Sequence, residues 1–378
     1  MPSRNYLAVT LLVCAALTLA GCGTNSIKVC PLASCGCGQD SDVCLAPQFL
    51  YANGVNGLVT AFPIDNNTGA LGQSTSVSTA RATDSLGMAV LNDQFLYVSS
   101  PLVSISGESS IDAWSINGGT DALVTVSGSP FGLGPLSFAA GLATNEAANV
   151  LYVGDAGRID ALKADENGVL TAISGSPFLS GTNLYLTVDP QNRFLFASAD
   201  DPPGSVFAFT IDSTGALAAV AGSPFPTIPN FGGNTRPYEI VVDSSGSFVY
   251  TTLSETGQIA AFSIVTPGGA LNPVPGSPFT IGDTPVSLTT VNNFLYASNG
   301  TIYGYSIAPG TGVLTPLSGS PFPIHGGALT TDIFGRFLYV SSSAGIFAFT
   351  IDSTTGALAP IAGSPFPNAG ATVLTIAR

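Results

Sequence analysis

Six residues lie at the starts of short apolar strands or in the linkers before them, and their types could support hydrolysis at a carbonyl: Arg81, Asp84, Arg236, Glu239, Asp283 and His325. Such a reaction needs a base to activate water and a donor or cation to hold the developing oxyanion. His325, the single histidine of the chain, or Glu239 is the candidate base, and Arg236 or Arg81 the candidate electrophilic partner. Solvated loops supply the same residue types. On that reading Arg81 with Asp84, and Arg236 with Glu239, simply form ion pairs within their linkers. Asp200-Asp201, followed by Pro202-Pro203-Gly204, reads as an exposed acidic turn ahead of a calcium ligand pair. There is no nucleophile elbow, phosphate-binding loop or His-Glu-x-x-His motif. Serines are abundant but lack a positioned histidine base. No metal or cofactor is expected.

A second set of reactive side chains sits at the N-terminus. Arg4 followed by the apolar stretch Tyr6 to Leu19 reads as a signal segment too short to span a bilayer comfortably. Leu19-Ala20-Gly21-Cys22 resembles a bacterial lipobox, which makes Cys22 the expected lipidation site and mature N-terminus. Gly23 is not the aspartate that resembles an inner-membrane retention signal, so the outer membrane or cell surface is the expected location. Cys30, Cys35, Cys37 and Cys44 remain, and an oxidising compartment favours two disulfides, with the pairing open. Their spacing is a poor match to a zinc knuckle. The expected organisation is a signal peptide over 1–21, a Cys-rich tether over 22–47 and one folded body over 48–378.

What holds the six candidates in place follows from composition and repetition. The 378 residues include 44 Gly and 27 Pro, and 45% are hydrophobic against only 8% charged. That combination argues against disorder and against long helices, and for many short strands joined by tight turns. Nine Lys plus Arg in a chain of net charge −14 exclude nucleic acid as a partner.

An aromatic segment recurs seven times, as Phe49-Leu50-Tyr51, Phe95-Leu96-Tyr97, Val150-Leu151-Tyr152, Phe194-Leu195-Phe196, Phe248-Val249-Tyr250, Phe294-Leu295-Tyr296 and Phe337-Leu338-Tyr339. Its mean spacing of about 48 residues is that of a four-stranded propeller blade. Each copy is followed by a strand with a small residue beside a large one, such as Ala113-Trp114, Ala208-Phe209 and Ala348-Phe349. Adjacent strand positions face opposite sides, so stacked blades should interdigitate small against large. A Gly-centred hairpin and an outer strand come next, ending in Gly-Ser-Pro-Phe in six copies, with the Phe expected to wedge between blades. An inner strand then opens the next unit. The phase leaves the last inner strand, Thr372–Ile376, alone at the C-terminus. Seven complete blades form only if it pairs with Phe49–Ala52, a clasp that removes the open edges. The fold class is therefore all-β, a seven-bladed propeller of four-stranded blades.

These Phe-Leu-Tyr-Val, Ile-x-Ala-Phe-x-Ile-Asp, Thr-Gly-Ala-Leu and Gly-Ser-Pro-Phe segments resemble the lactonase-type seven-bladed propeller family, which groups 6-phosphogluconolactonase-like proteins, carboxy-muconate cyclases and surface propellers with Tyr-Val-Thr-Asn repeats. The resemblance spans 49–376 and concerns packing motifs. It implies a site at the channel mouth with a Pro-Arg-His stretch and further Arg and Glu. Here the nearest match is Thr235-Arg236-Pro237-Tyr238-Glu239, without the histidine. The departure leans the function away from catalysis, towards an envelope-anchored, monomeric binding or scaffolding propeller whose partner is a glycan, peptide or envelope protein. The alternative is an extracytoplasmic lactonase acting on a neutral sugar lactone.

Overall fold

The structure, a computed structural model, describes residues 47–377 except 55–56, 81–86, 101–107, 119–121, 136–138, 156, 180–184, 231, 283, 325 and 369. Arg81, Asp84, Asp283 and His325, and the cysteines Cys22, Cys30, Cys35, Cys37 and Cys44, lie outside the described residues. The rest forms seven antiparallel blades in a ring. Blade 1 runs, from its inner to its outer strand, Ala371–Ala377, Gln48–Gly54, Leu58–Ile64 and Thr75–Ser78. The inner strands of blades 2 to 7 are Met88–Leu91, Leu142–Asn145, Tyr185–Val188, Pro237–Val242, Ser287–Val291 and Leu329–Thr331. The clasp is as expected, with Leu50 opposite Ile376, Tyr51 opposite Thr375 and Ala52 opposite Leu374.

Blades pack through the small-against-large alternation. Each core cluster mixes two neighbouring blades, and the small residue of one third strand shares it with the large residue of the next: Ala61 with Trp114, Ala113 with Leu162, Ala161 with Phe209, Ala208 with Phe262, Ala261 with Tyr305 and Ala348 with Phe62. Gly304 takes the small position in blade 6, where a Cβ would come within 2.9 Å of Leu317. Burying a large apolar side chain is worth about 1.5–3 kcal/mol, so the ring is held mainly by these interfaces.

Two hydrogen-bond systems add to this packing, one between blades and one within each blade. The buried tyrosine of the second strand donates its hydroxyl to a hairpin glycine of the following blade: Tyr97 to Gly168, Tyr152 to Gly215, Tyr250 to Gly312, Tyr296 to Gly356 and Tyr339 to Gly69, at 2.6–3.0 Å. Gly215 shows why glycine is needed there: its φ is +87° and a Cβ would lie 2.5 Å from Val150.

The Gly-Ser-Pro-Phe segment explains itself in the second system. It interrupts the outer strand, and its serine oxygen accepts the third-strand N–H left without a ladder partner: Ala113, Ala161, Ala208, Ala261, Gly304 and Ala348 donate to Ser129, Ser176, Ser223, Ser277, Ser320 and Ser364 at 2.9–3.0 Å. The Phe that follows packs against the interblade clusters, as expected.

Candidate functional site

The first residues of the seven inner strands surround one end of the central channel, and a cavity of about 470 Å³ sits there. Its size is that of a small-molecule site. Apolar wall comes from Met88, Leu142, Leu186 and Val286, and polar groups from Tyr185, Tyr238, Glu239 and Ser287. A second space of about 290 Å³ continues down the channel between the inner strands of blades 1 to 4.

Glu239 faces this cavity because the inner strand of blade 5 is irregular. Pro237 pairs with Leu253 and Ile240 with Thr251, so Tyr238 and Glu239 together oppose Thr252 alone. Regular alternation would send these two side chains to opposite faces, and a bulge re-aims them. Both line the channel. The bulge is held at its carbonyls, where the Ser198 hydroxyl from blade 4 donates to Tyr238 and the Thr251 hydroxyl donates to Glu239 at 2.9 Å. The Tyr185 and Tyr238 rings lie 4.1 Å apart between centroids, tilted by 40°. Burial and the neighbouring Tyr238 and Glu239 push the Tyr185 hydroxyl far up, so it stays a neutral donor. Burial alone pushes the Glu239 carboxyl up to about 7, and no donor or cation among the described residues reaches it.

Arg236 is placed elsewhere. Its backbone is left-handed (φ 44°), its N–H donates to the Asn234 side chain, and its guanidinium donates to Glu255 Oε1 at 3.0 Å on the exposed surface. The expected Arg236–Glu239 pair is thus replaced by Arg236–Glu255. The bulge turns Glu239 inward while the left-handed residue before it turns the arginine out. Arg158, on the same face, is held between Asp155 and Asp160 at 3.0 and 2.9 Å. Of the two candidates among the described residues, Glu239 lines the cavity and Arg236 does not. Tyr185 and Ser287 were not anticipated. The one signal available for Tyr185 was a tyrosine at the head of two successive inner strands. Among the described residues no group of three or more His, Cys, Asp and Glu is placed to hold a metal, the Asp200-Asp201 turn included.

A channel-mouth pocket in a ring of seven such blades defines the class: a seven-bladed β-propeller. Residues 143–275 match the family described as "Lactonase, 7-bladed beta-propeller", which bears out the resemblance carried by the repeats. No curated protein matches the sequence. Solved structures are similar in fold. A Bacteroides uniformis protein assigned provisionally as a 6-phosphogluconolactonase is 16% identical, with 88% of this chain and 100% of that one covered and a TM-score of 0.70. A periplasmic gluconolactonase from Pseudomonas aeruginosa is 14% identical, with 88% and 99% covered and a TM-score of 0.67. A Lactobacillus plantarum protein is 17% identical, with 88% and 100% covered and a TM-score of 0.68.

Proposed function

We propose that this protein is an envelope-anchored propeller that binds a small ligand at its channel mouth. The carrying observation is the bulge at Tyr238–Glu239, which places a carboxyl without a partner among the described residues beside a tyrosine pair in a cavity of ligand size. Anchoring is supported by Leu19-Ala20-Gly21-Cys22. In the test, the full-length protein is purified from membranes in detergent and screened against sugars, sugar lactones, amines and short peptides by thermal shift. Ligands of the site should raise the melting temperature of the wild type and not of Tyr238→Leu. A screen whose hits are indifferent to Tyr238 would reject the site. Cys22→Ser should release the protein from membranes, and persistence there would reject the anchor.

One observation favours a catalytic second reading: a carboxyl with a pKa near 7 suits a general base at neutral pH. Glu239 would take a proton from water as the water oxygen adds to a neutral lactone carbonyl, with a tyrosine hydroxyl donating to the oxyanion. Collapse would break the ring C–O bond and return the proton to the leaving alkoxide, giving the hydroxy acid. Hydrolysis of neutral lactones that is lost in Glu239→Gln supports this reading. The solved neighbours named as lactonases share the fold at 14–16% identity, which does not carry an activity across.

A further inference from the structure

The chemistry of the cavity wall is unusually one-sided. Its described aromatic surface is the Tyr185–Tyr238 pair, and Tyr238 is exposed to the extent of 38% at the mouth beside Val286 at 42%. Its described acid is Glu239, and none of its described residues is Lys or Arg. Among the described residues of the same face, Asp155, Asp160, Asp200, Asp201 and Glu255 stand against Arg158 and Arg236, and both of these arginines are already ion-paired. The chain as a whole has a net charge of −14. A carboxylate set in such a wall is costly to ionise without a partner. Tyrosine faces attract cations through the ring quadrupole. An anionic ligand would meet like charge with no cation among the described wall residues to offset it.

Resting on the channel-mouth binding reading, we infer that the site takes a small organic cation, an amine or quaternary ammonium on a compact apolar body. The Tyr185–Tyr238 pair forms its aromatic wall and Glu239 its counter-ion. Met88, Leu142 and Val286 receive the apolar part. The ligand then supplies the positive charge that the described wall lacks, and negative potential over the face raises its local concentration.

The test compares choline with 3,3-dimethylbutan-1-ol, its uncharged carbon isostere, by calorimetry on the full-length protein in detergent at pH 8. Choline should bind at least about tenfold more tightly than the alcohol, the scale of a desolvated cation–π contact plus a counter-ion. Glu239→Gln should bring the two probes together, and Tyr238→Leu should weaken choline without abolishing folding, as judged by an unchanged cooperative melt. Equal binding of both probes, or no choline binding at millimolar concentration, overturns the cation assignment. If the protein then binds a neutral sugar or lactone in a Tyr238-dependent way, the channel-mouth reading survives that failure. If nothing binds there, both fall.

Discussion

The Tyr250 hydroxyl in blade 5 donates to the carbonyl of Gly312 in blade 6 at 2.8 Å, beside the apolar cluster that joins the two blades. Among the described residues the same bond links four other neighbouring blade pairs, but blade 4 has Phe196 at this position, opposite the Gly269 hairpin of blade 5. Removing one buried bond leaves an acceptor dry, so Tyr250→Phe should cost about 1–2 kcal/mol. Phe196→Tyr should raise the melting temperature by adding the missing bond. A lower melting temperature for Phe196→Tyr would show that the blade 4–5 interface has no room for the hydroxyl.

Ser223 accepts the Ala208 N–H at 3.0 Å where the outer strand of blade 4 is broken. Ser223→Ala strands that buried donor, and the expected loss is about 1–3 kcal/mol in urea denaturation. Ser223→Thr keeps the acceptor and should recover most of it. Equal losses for the two variants would mean that packing at the turn matters and the bond does not.

The inner strand of blade 1 is the C-terminal segment Ala371–Ala377, and its loss would open the ring between blades 7 and 2. Deleting 370–378 from the full chain should lower the melting temperature far more than an ordinary tail truncation, because Leu374 and Ala377 leave two core clusters. An unchanged melt would contradict a closed ring.

The ring was legible in the chain because repetition repeats its physics. Phe-Leu-Tyr marks a strand buried on both faces, and Ala113-Trp114 with its homologues marks which face is thin. The phase of Thr372–Ile376 left one partner to pair with. The site was less legible. Glu239 could be picked out as an acid at an inner-strand head, but its inward aim depends on a bulge that no residue type between Pro237 and Ile240 announces. Arg236 looked like its partner from spacing alone, yet a left-handed backbone carries it to Glu255, a residue on a different loop. Gly-Ser-Pro-Phe was recognisable as punctuation. The acceptor role of its serine needed the register of the third strand.

Glu239 makes stability depend on pH in a defined direction. Its carboxyl is raised from the ordinary 4.5 to about 7 by burial, so the folded chain holds the proton more tightly than the unfolded chain. The protonated form therefore carries no penalty at pH 4, a penalty grows as pH rises from 4.5 through 7, and it is constant above. The Tyr185 hydroxyl, pushed far up by burial, stays neutral over this window, and Arg236 is engaged with Glu255. Glu239→Gln should match the wild type near pH 4 and exceed it by about 2 kcal/mol at pH 8, allowing for partial exposure to the channel. A variant equally stable at both pH values, relative to wild type, would show that the carboxyl is hydrated in the channel.

The last expectation concerns phosphorylated lactones. Holding a phosphate takes charge-assisted bonds, typically from several Arg or Lys. The described wall of the cavity offers none, and its one carboxyl would repel the dianion. Among the described residues the arginines of this face are committed: Arg236 to Glu255 in the solvent, and Arg158 to Asp155, Asp160 and the Leu133 carbonyl. An envelope location would also separate the protein from cytoplasmic sugar-phosphate metabolism. The purified protein should therefore not hydrolyse 6-phosphogluconolactone, whatever it does with neutral lactones, and inorganic phosphate should not raise its melting temperature. Any hydrolysis of a neutral lactone should persist in Arg236→Ala and disappear in Glu239→Gln. Robust turnover of 6-phosphogluconolactone that is lost in Arg236→Ala would mean that the guanidinium leaves Glu255 and swings into the channel when substrate arrives, and the site would have to be rebuilt around it.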